Sequence, residues 1–534
     1  MLDAPQPAQA QATPYAPSSI EPLICEGFEG INTTTTRAGV DDKEIYWSDN
    51  FMPLGPKRNL RTMHGLSAAI YTTAVATIAW FDFGNIGSTP YMFVFKSDGS
   101  IVAINTNTKV ATQIAGAGTI TAPSRLTVGL AQWGSLYIQF VAKQTNGYFI
   151  WDGTTFYSPG GSAPGGGTMP TAVGGTAIEN YAGRVWIANG ATITFSAPGS
   201  VKDFSSANGG GNFTSTDSFL RVQFTNLKQT NGFLYLIGDS SVNYISGVQT
   251  SGSPPVTTFT NQNADPETGS AWPGTVMVFN RNILFANPFG AQISYGGAVT
   301  KISEKLDGVY NTVPNFGSFV PSAAKAIVFG KKVWILLLPI IDPVSNQQVN
   351  KLFLWNQKIW WAASQEVPLS FINFQEINSV LTAWATDGTN IYQMFAQPSA
   401  TLEKIFQTKL WDTPGGYQFL KFINRFWGIV QYYNTTNPEI DIALDSEAGS
   451  TTLQAQLTPA ATEWLTVTQA VSTWLTTGAA MSTWLTGGPG QYSVSIPDAT
   501  GTNGVINGFT VSTESADVAV VSMMLQPDIA TYRG

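Results

Sequence analysis

Histidine and cysteine, two of the side chains that most often serve catalysis or metal binding, each occur once in this sequence, as His64 and Cys25. A Ser-His-Asp triad or a Cys-His pair would depend on His64 alone. Its neighbourhood, NLRTMHGLS, contains no nucleophile motif. One histidine and one cysteine cannot complete a zinc ligand set. We therefore interpret His64 as a structural or surface residue and predict no metal site.

Paired carboxylates are harder to dismiss, because a glycosidase needs only two of them. Most acidic residues here lie in the turn sequences SDGS, WDGT, LDGV and TDGT, where Asp caps its own turn. DSEAG at 445–449 lacks the spacing and the terminal Glu of a calcium loop. The glycine-rich stretches 160–170 and 206–212 lack the Gly-Lys-Ser/Thr ending of a phosphate-binding loop. We predict no catalytic residue and no cofactor, and hence a protein that is not an enzyme.

The composition indicates which partners to expect. Only 11% of the 534 residues are charged, against about 25% in ordinary globular proteins. Such a weakly charged surface suits a protein whose faces are covered in an assembly. The net charge of −8, with no basic run, argues against tight nucleic-acid binding through phosphates. No signal peptide opens the chain, and the aliphatic run VWILLLPII at 333–341 is too short to span a bilayer. We expect folding in a reducing cytoplasm without a membrane anchor.

The elements that must position any site are short β-hairpins, which alternate with turn dipeptides between residues 65 and 404. A spacing of roughly 50 residues without helical segments is typical of β-propeller blades. We predict a β-propeller of six or seven blades over 65–404, with a β-sandwich or a β-helix as the competing architecture. The central hairpin turns fall near Asp98-Gly99, Asn146-Gly147, Asn189-Gly190, Asp239-Ser240, Pro288-Phe289, Asp342-Pro343 and Asp387-Gly388.

Three further parts flank the predicted propeller of this all-β chain. Residues 1–27 are rich in Pro, Ala and Gln, which predicts a flexible or extended arm. We predict that residues 28–64 form an extended segment that leads into the propeller. Beyond residue 404 alternating strands continue without the blade period, so we assign 405–534 to a C-terminal β-sandwich-like domain.

A repeat near the C-terminus, TEWLTVTQAVSTWLTTGAAMSTWLTGG at 462–488, places Trp464, Trp474 and Trp484 at equal intervals. On an α-helix these side chains would share no face. In strands, each Trp-Leu pair sends one side chain to either side of a sheet, which predicts a ladder of three short strand-and-turn units. One apolar face could cover the chain's own core and the other a neighbouring subunit, or both could be internal. The three tryptophans are our candidate interface residues.

The stretch FEGINTTTTRAGVDDKEIYWSDNFMPLGPKRNLRTMHG at 28–65 resembles the opening of the tail hub or nozzle proteins of short-tailed bacteriophages. The phrases GRVWIANGATITFSAPGSVKDFS, KISEKLDGVYNTV and FQTKLWD are also similar to this family, so the resemblance touches most of the chain. The basic residues Lys57, Arg58 and Arg61 could pair with acids of a neighbouring subunit or form a solvated loop. The residues that carry the resemblance are Gly30-Ile31-Asn32-Thr33, Gly39-Val40-Asp41-Asp42, Asn50-Phe51-Met52-Pro53 and Arg61 through Gly65.

The resemblance implies a virion tail protein, assembled in the host bacterial cytoplasm as a cyclic homo-oligomer, commonly a hexamer. The ring would lie below the portal and adaptor rings, with tail fibres or a tail needle nearby. Its axial channel would retain and then conduct the genome, which would be only a non-specific content of the channel. The alternative is a carbohydrate-binding or glycan-cleaving propeller, such as a phage receptor-binding protein. An intracellular scaffold of the kelch or WD type is disfavoured, because its blade signatures are missing.

Overall fold

A computed structural model describes most of the chain, and nearly all of its regular structure is β-strand. Four short 3-10 turns, at Ser206–Asn208, Pro273–Thr275, Glu304–Leu306 and Gly416–Gln418, complete the elements of the described part. The Trp repeat at 462–488 and residues 1–21 of the predicted arm lie outside it. The described residues are 22–55, 57–215, 223–310, 312–313, 319–413, 416–433, 439–447, 449–454, 456–459, 490–496 and 503–532.

Seven four-stranded antiparallel units follow one another and form the blades of a β-propeller. We number them 1 to 7 in chain order. Blades 1 to 4 consist of Ile78–Ile86, Thr89–Lys96, Ile101–Asn105 and Ala111–Ala115; Val128–Trp133, Tyr137–Ala142, Tyr148–Trp151 and Phe156–Tyr157; Ala177–Tyr181, Arg184–Asn189, Thr192–Phe195 and Gly211–Thr214; and Phe224–Thr230, Phe233–Gly238, Val242–Ser251 and Val256–Asp265.

Blades 5 to 7 complete the ring. In all seven blades the first strand is innermost, and the first strand of blade 7 contacts that of blade 1. Their strands are Met277–Phe279, Asn282–Asn287, Gly290–Ser294 and Val299–Lys301; Ser322–Val328, Lys331–Ile341, Gln348–Trp355 and Trp360–Ala363; and Phe371–Ile377, Val380–Thr386, Asn390–Gln393 and Tyr71–Thr72.

The outer strand of blade 7 comes from the other end of the propeller sequence. Tyr71 and Thr72 precede blade 1, yet they pair with Ile391 and Asn390 of the last blade. The ring is therefore closed by hydrogen bonds between its first and last segments. This closure ties the two ends of the propeller together.

The predicted propeller is confirmed, and its blades number seven. All seven predicted turns lie between the second and third strands of a blade. Asp98 and Asp387 show why these turns form: the Asp98 carboxylate accepts the backbone N–H of Ser100 at 2.9 Å, and that of Asp387 accepts the N–H of Thr389 at 2.7 Å.

Two further sheets form a β-sandwich with strands from both ends of the chain. Their facing side chains share one core, in which the ring centroids of Phe51 and Phe406 lie 5.3 Å apart and those of Phe426 and Phe509 5.1 Å apart. One sheet contains Leu23–Cys25, Phe51–Leu54, Asn59–Thr62, Phe419–Tyr432, Gln456–Pro459, Gly490–Ile496, Asn503–Gly504 and Val518–Tyr532; the other contains Trp47–Asp49, Lys404–Gln407, Asp441–Ser446, Gly449–Gln454 and Asn507–Thr513.

The second of these sheets continues into blade 6 of the propeller. Trp47–Asp49 pairs in parallel with Trp360–Ala363 of that blade and antiparallel with Lys404–Gln407. The result is one nine-stranded sheet that runs through both units. Residues 28–64, which we predicted as an extended segment that leads into the propeller, contribute strands that complete the sandwich and fasten it to the propeller.

Candidate functional site

The innermost strands of the seven blades surround a cavity of about 330 Å³ on the propeller axis. Six charged side chains line it, three acidic and three basic. The charges of this axial cavity therefore cancel within the protein. The six residues are Asp82, Arg125, Glu179, Lys228, Lys325 and Glu376.

Burial controls the electrostatics of the axial cavity. It raises the pKa of Asp82 and of Glu179, against the opposing effect of Lys228. It also lowers the pKa of Arg125 to about 10, although the neighbouring Asp82 acts in the other direction. Lys325 pairs with Glu376 at 3.2 Å, yet burial still lowers its pKa. Charged groups are thus held where solvent stabilises them poorly.

Amide side chains on the inner strands bond neighbouring blades and so fix the walls of the cavity. Asn373 of blade 7 donates to the backbone oxygen of Phe81 in blade 1 at 3.0 Å. Asn180 of blade 3 donates to the backbone oxygen of Gln132 in blade 2 at 2.9 Å. Because these bonds set each strand against its neighbour, the polar residues between them converge on the axis.

A second buried charge cluster lies where the propeller meets the sandwich. The ammonium of Lys351, a residue only 4% exposed, lies 2.6 Å from the Asp49 carboxylate and 3.1 Å from that of Asp342. Burial opposes the charge of Lys351, but the two carboxylates outweigh it and raise its pKa. Burial alone would raise the pKa of Asp342. The charge of Lys351 and nearby hydrogen bonds outweigh burial, so the pKa of Asp342 is lowered. The cluster joins blade 6 to the sandwich strand that carries Asp49.

Several residues of the 28–65 stretch have contacts within the chain that explain their presence. Gly30 has a φ of +96°, and an added Cβ would lie 2.6 Å from the backbone oxygen of Trp360. The Asn50 amide donates to Ser364 Oγ at 2.9 Å and to the backbone oxygen of Glu403 at 2.8 Å. These contacts hold the stretch against blade 6 and the segment that follows the propeller.

The three basic candidates in this stretch differ in their surroundings. Arg61 donates two hydrogen bonds to Asp517, at 3.0 and 2.9 Å, and its guanidinium lies 4.4 Å and 4.1 Å from the ring centroids of Phe329 and Tyr433. Arg61 thus pairs within the chain, and a contact of this residue with a neighbouring subunit stays a prediction.

The other two basic residues lie nearer the surface. Arg58 pairs with Glu29 at 2.7 Å, and both side chains are more than two-fifths exposed. Lys57 is exposed and lines a shallow groove with Arg58. A subunit contact through Lys57 and Arg58 stays a prediction, and so does one through Trp464, Trp474 and Trp484, which lie outside the described residues.

The single histidine and cysteine have structural surroundings. The His64 ring packs on Phe329, with centroids 5.0 Å apart, and burial lowers its pKa. Cys25 is 4% exposed, and burial raises the pKa of its thiol to about 12. In the part of the chain that the structure describes, no three His, Cys, Asp or Glu side chains are grouped to hold a metal ion. No helix of that part is long and apolar enough to cross a membrane.

Neither of the two charge clusters was predicted from the sequence. The available signal was a charged residue in the middle of an otherwise apolar strand: Asp82 in WFDFGN, Glu179 in AIENY and Lys351 in NKLFLW. Such residues are rarely buried without a partner or a function. The propeller prediction placed the blades but did not identify which strands face the axis.

Comparison with known proteins adds no family. No family model and no curated protein matches the sequence. Among solved structures, the chain is similar to the extracellular domain of a one-component system from B. thetaiotaomicron, with 10% identity and a TM-score of 0.39 over 62% of this chain and 40% of that one. The chain thus spans less than half the length of that domain.

Two other solved structures match most of their own length. They are BBS1N in its complex with ARL6DN (8% identity, TM-score 0.37, 65% of this chain and 97% of that one) and the Swd1 β-propeller domain of Myceliophteria thermophila (10%, 0.37, 61% and 99%). At these TM-scores the similarities carry no argument about function.

Proposed function

We propose that this protein is a structural component of a short-tailed phage virion, where it forms the tail hub or nozzle ring that retains and then conducts the genome. The observation that carries the proposal is the resemblance of residues 28–65 to the opening of that protein family. Its proposed partners are further copies of itself, commonly as a hexamer, the portal or adaptor ring, and tail fibre or needle proteins.

The way in which the two units are joined supports a mechanical role for the subunit. The nine-stranded sheet crosses from blade 6 into the sandwich, and the Lys351 cluster is buried at the same junction. At the junction Asp49 pairs with Ala362, and the backbone N–H groups of Asn50 and Ile31 donate to the backbone oxygens of Ala362 and Trp360 at 3.1 and 2.9 Å. These bonds and the buried ion pairs resist separation of the two units together. Such a subunit suits a wall that holds packed DNA.

The size of the axial cavity shows whether DNA could pass along the axis of one propeller or only through the ring of subunits. A volume of about 330 Å³ is far too small for a DNA duplex, and the cavity walls carry three carboxylates. The channel that conducts the genome is therefore the one enclosed by the ring of subunits. The axis of each propeller stays closed to DNA.

Immuno-electron microscopy of particles from producing cells tests this function. Residues 107–113 form a continuously exposed segment on blade 1 and provide the epitope, whereas much of the C-terminal strand Val518–Tyr532 is buried. We expect label at the tail of each particle, and none after the antibody is absorbed with the free 107–113 peptide. Particles whose tails carry no peptide-specific label would refute the proposal, as would label confined to the capsid.

A further inference from the structure

The axial cavity has no part in the proposed ring function. Lys325 and Glu376 pair with each other there, but other charged groups of the cavity are not paired in this way. The side chain of Lys228 has no ion pair and no hydrogen-bond partner among the described residues. Electrostatically it is nevertheless coupled to both Asp82 and Glu179. An ammonium and two carboxylates therefore face the same space without closing on each other.

The two carboxylates retain capacity for further hydrogen bonds. Oδ1 of Asp82 accepts from the backbone N–H of Phe83 at 2.9 Å and from Asn373 at 3.0 Å. Oε1 of Glu179 accepts from the backbone N–H of Asn180 at 3.2 Å. Since a carboxyl group offers about four lone-pair sites on its two oxygens when ionised, and an O–H donor with the remaining acceptor sites when protonated, both groups can make more hydrogen bonds. The cavity thus presents unused acceptors beside the unused donor of Lys228.

The remaining wall of the cavity combines aromatic surface with an exposed amide. Phe83 and Phe374 line it and are partly exposed, and Gln229 is exposed. The volume of about 330 Å³ lies at the lower end of the range for ligand sites. A ligand for this space is small, makes hydrogen bonds in both directions and has apolar edges.

We propose that the axial cavity binds a neutral carbohydrate of one or two sugar rings. Sugar hydroxyls donate to carboxylates and accept from an ammonium, which matches Asp82, Glu179 and Lys228. The C–H edges of a sugar ring pack on aromatic surface such as Phe83 and Phe374. Because three acidic and three basic side chains line it, the cavity has no formal net charge that would select an ion of either sign.

Saturation-transfer NMR on the full-length protein, followed by titration, tests this site. The probes are D-glucose, D-galactose, D-mannose, N-acetyl-D-glucosamine and maltose, with L-glutamate as a charged comparison. Lys228→Met removes the free donor, and Gln229→Trp fills the cavity without changing its charge. Lys301→Met is the matched control. Lys301 lies on the last strand of blade 5, pairs with Asp307 and does not line the cavity.

We expect at least one neutral sugar to bind. Its Kd should rise at least ~10-fold in Lys228→Met, as loss of one charge-assisted hydrogen bond predicts, and should stay unchanged in Lys301→Met. Gln229→Trp should abolish binding, and its thermal unfolding shows whether the blades remain intact. If Lys228→Met does not fold, Gln229→Trp alone decides the result.

Three outcomes would overturn the proposal: no sugar binds, binding survives the filled cavity, or only glutamate binds. Each of these outcomes is independent of the immuno-electron microscopy result, since sugar binding requires neither a ring of subunits nor a virion.

Discussion

Replacing Lys351 by methionine tests whether the buried charge cluster holds the propeller to the sandwich. The lysine ammonium forms ion pairs with two carboxylates, that of Asp49 at 2.6 Å and that of Asp342 at 3.1 Å. None of the three side chains is more than 12% exposed. Methionine keeps the length of the side chain but leaves both carboxylates without their cation. Removing one member of a buried ion pair costs about 3–5 kcal/mol, so we expect a loss of that size at pH 7.

The pH dependence gives this prediction a second part. The pKa of Asp342 is lowered in the folded protein, so its contribution to stability is present above the unfolded value near 3.9 and is lost as the pH falls through the lower folded value. The pKa of Lys351 is raised, so its contribution is complete below the unfolded value near 10.4 and is lost only above the folded one.

In the Lys351→Met variant, burial of Asp342 without its cation acts to raise the pKa of that carboxyl group. On acidification, protonation of Asp342 therefore removes an unpaired buried charge from the variant, whereas the wild type keeps its ion pairs. We expect the free-energy loss to shrink by about 1 kcal/mol or more between pH 7 and pH 4, since one pKa unit corresponds to about 1.4 kcal/mol.

Urea unfolding at both pH values, followed by tryptophan fluorescence and far-UV circular dichroism, measures these losses. Coincident transitions from the two probes are required before a single free energy is assigned. Lys301→Met is the matched control: Lys301 pairs with Asp307 at 2.6 Å, and the two side chains are 30% and 47% exposed, so its loss should stay within about 1 kcal/mol. A Lys351→Met loss no larger than that of the control, or one that does not change with pH, would refute the reasoning.

Two further predictions concern the N-terminal strands. Gly30→Ala should cost about 2 kcal/mol or more, because its Cβ would lie 2.6 Å from the Trp360 oxygen at a φ of +96°, whereas Gly27→Ala, at +69° with open space, should cost about 1 kcal/mol. Equal shifts in Tm would contradict this. Because burial raises the pKa of Cys25 to about 12, iodoacetamide at pH 8 should alkylate it only in urea; rapid alkylation of the native protein, detected by mass spectrometry, would contradict that.

The elements that could be predicted are those that depend on the conformational preferences of neighbouring residues. Asp-Gly and Asn-Gly pairs favour tight turns wherever they occur, so the turns at Asp98, Asn146 and Asp387 could be placed from the sequence. The two-residue strand Tyr71–Thr72 has no such signal, because its place in blade 7 depends entirely on the free edge of Asn390–Gln393. Pairing between distant segments leaves no local pattern to read.

The same distinction explains why the candidate sites were harder to predict. Arg61 carries a charge in a basic stretch, which favoured an intersubunit contact, but its partners Asp517 and Tyr433 come from distant parts of the chain. The axial residues Asp82, Glu179 and Lys228 lie on three different blades, and only ring closure brings them to one cavity. Their types were visible in the sequence, but their convergence was not.

The position of the 28–65 stretch affects how any assembly interface can be tested. Its strands complete both sheets of the sandwich, and Asp49 and Gly30 fasten it to blade 6. A substitution at Arg61 would therefore alter folding before it altered a contact between subunits. Lys57 is exposed and borders the groove without being buried in either unit. A loss of assembly in a Lys57 variant of unchanged stability would thus report on a subunit contact, whereas the same loss in an Arg61 variant would not.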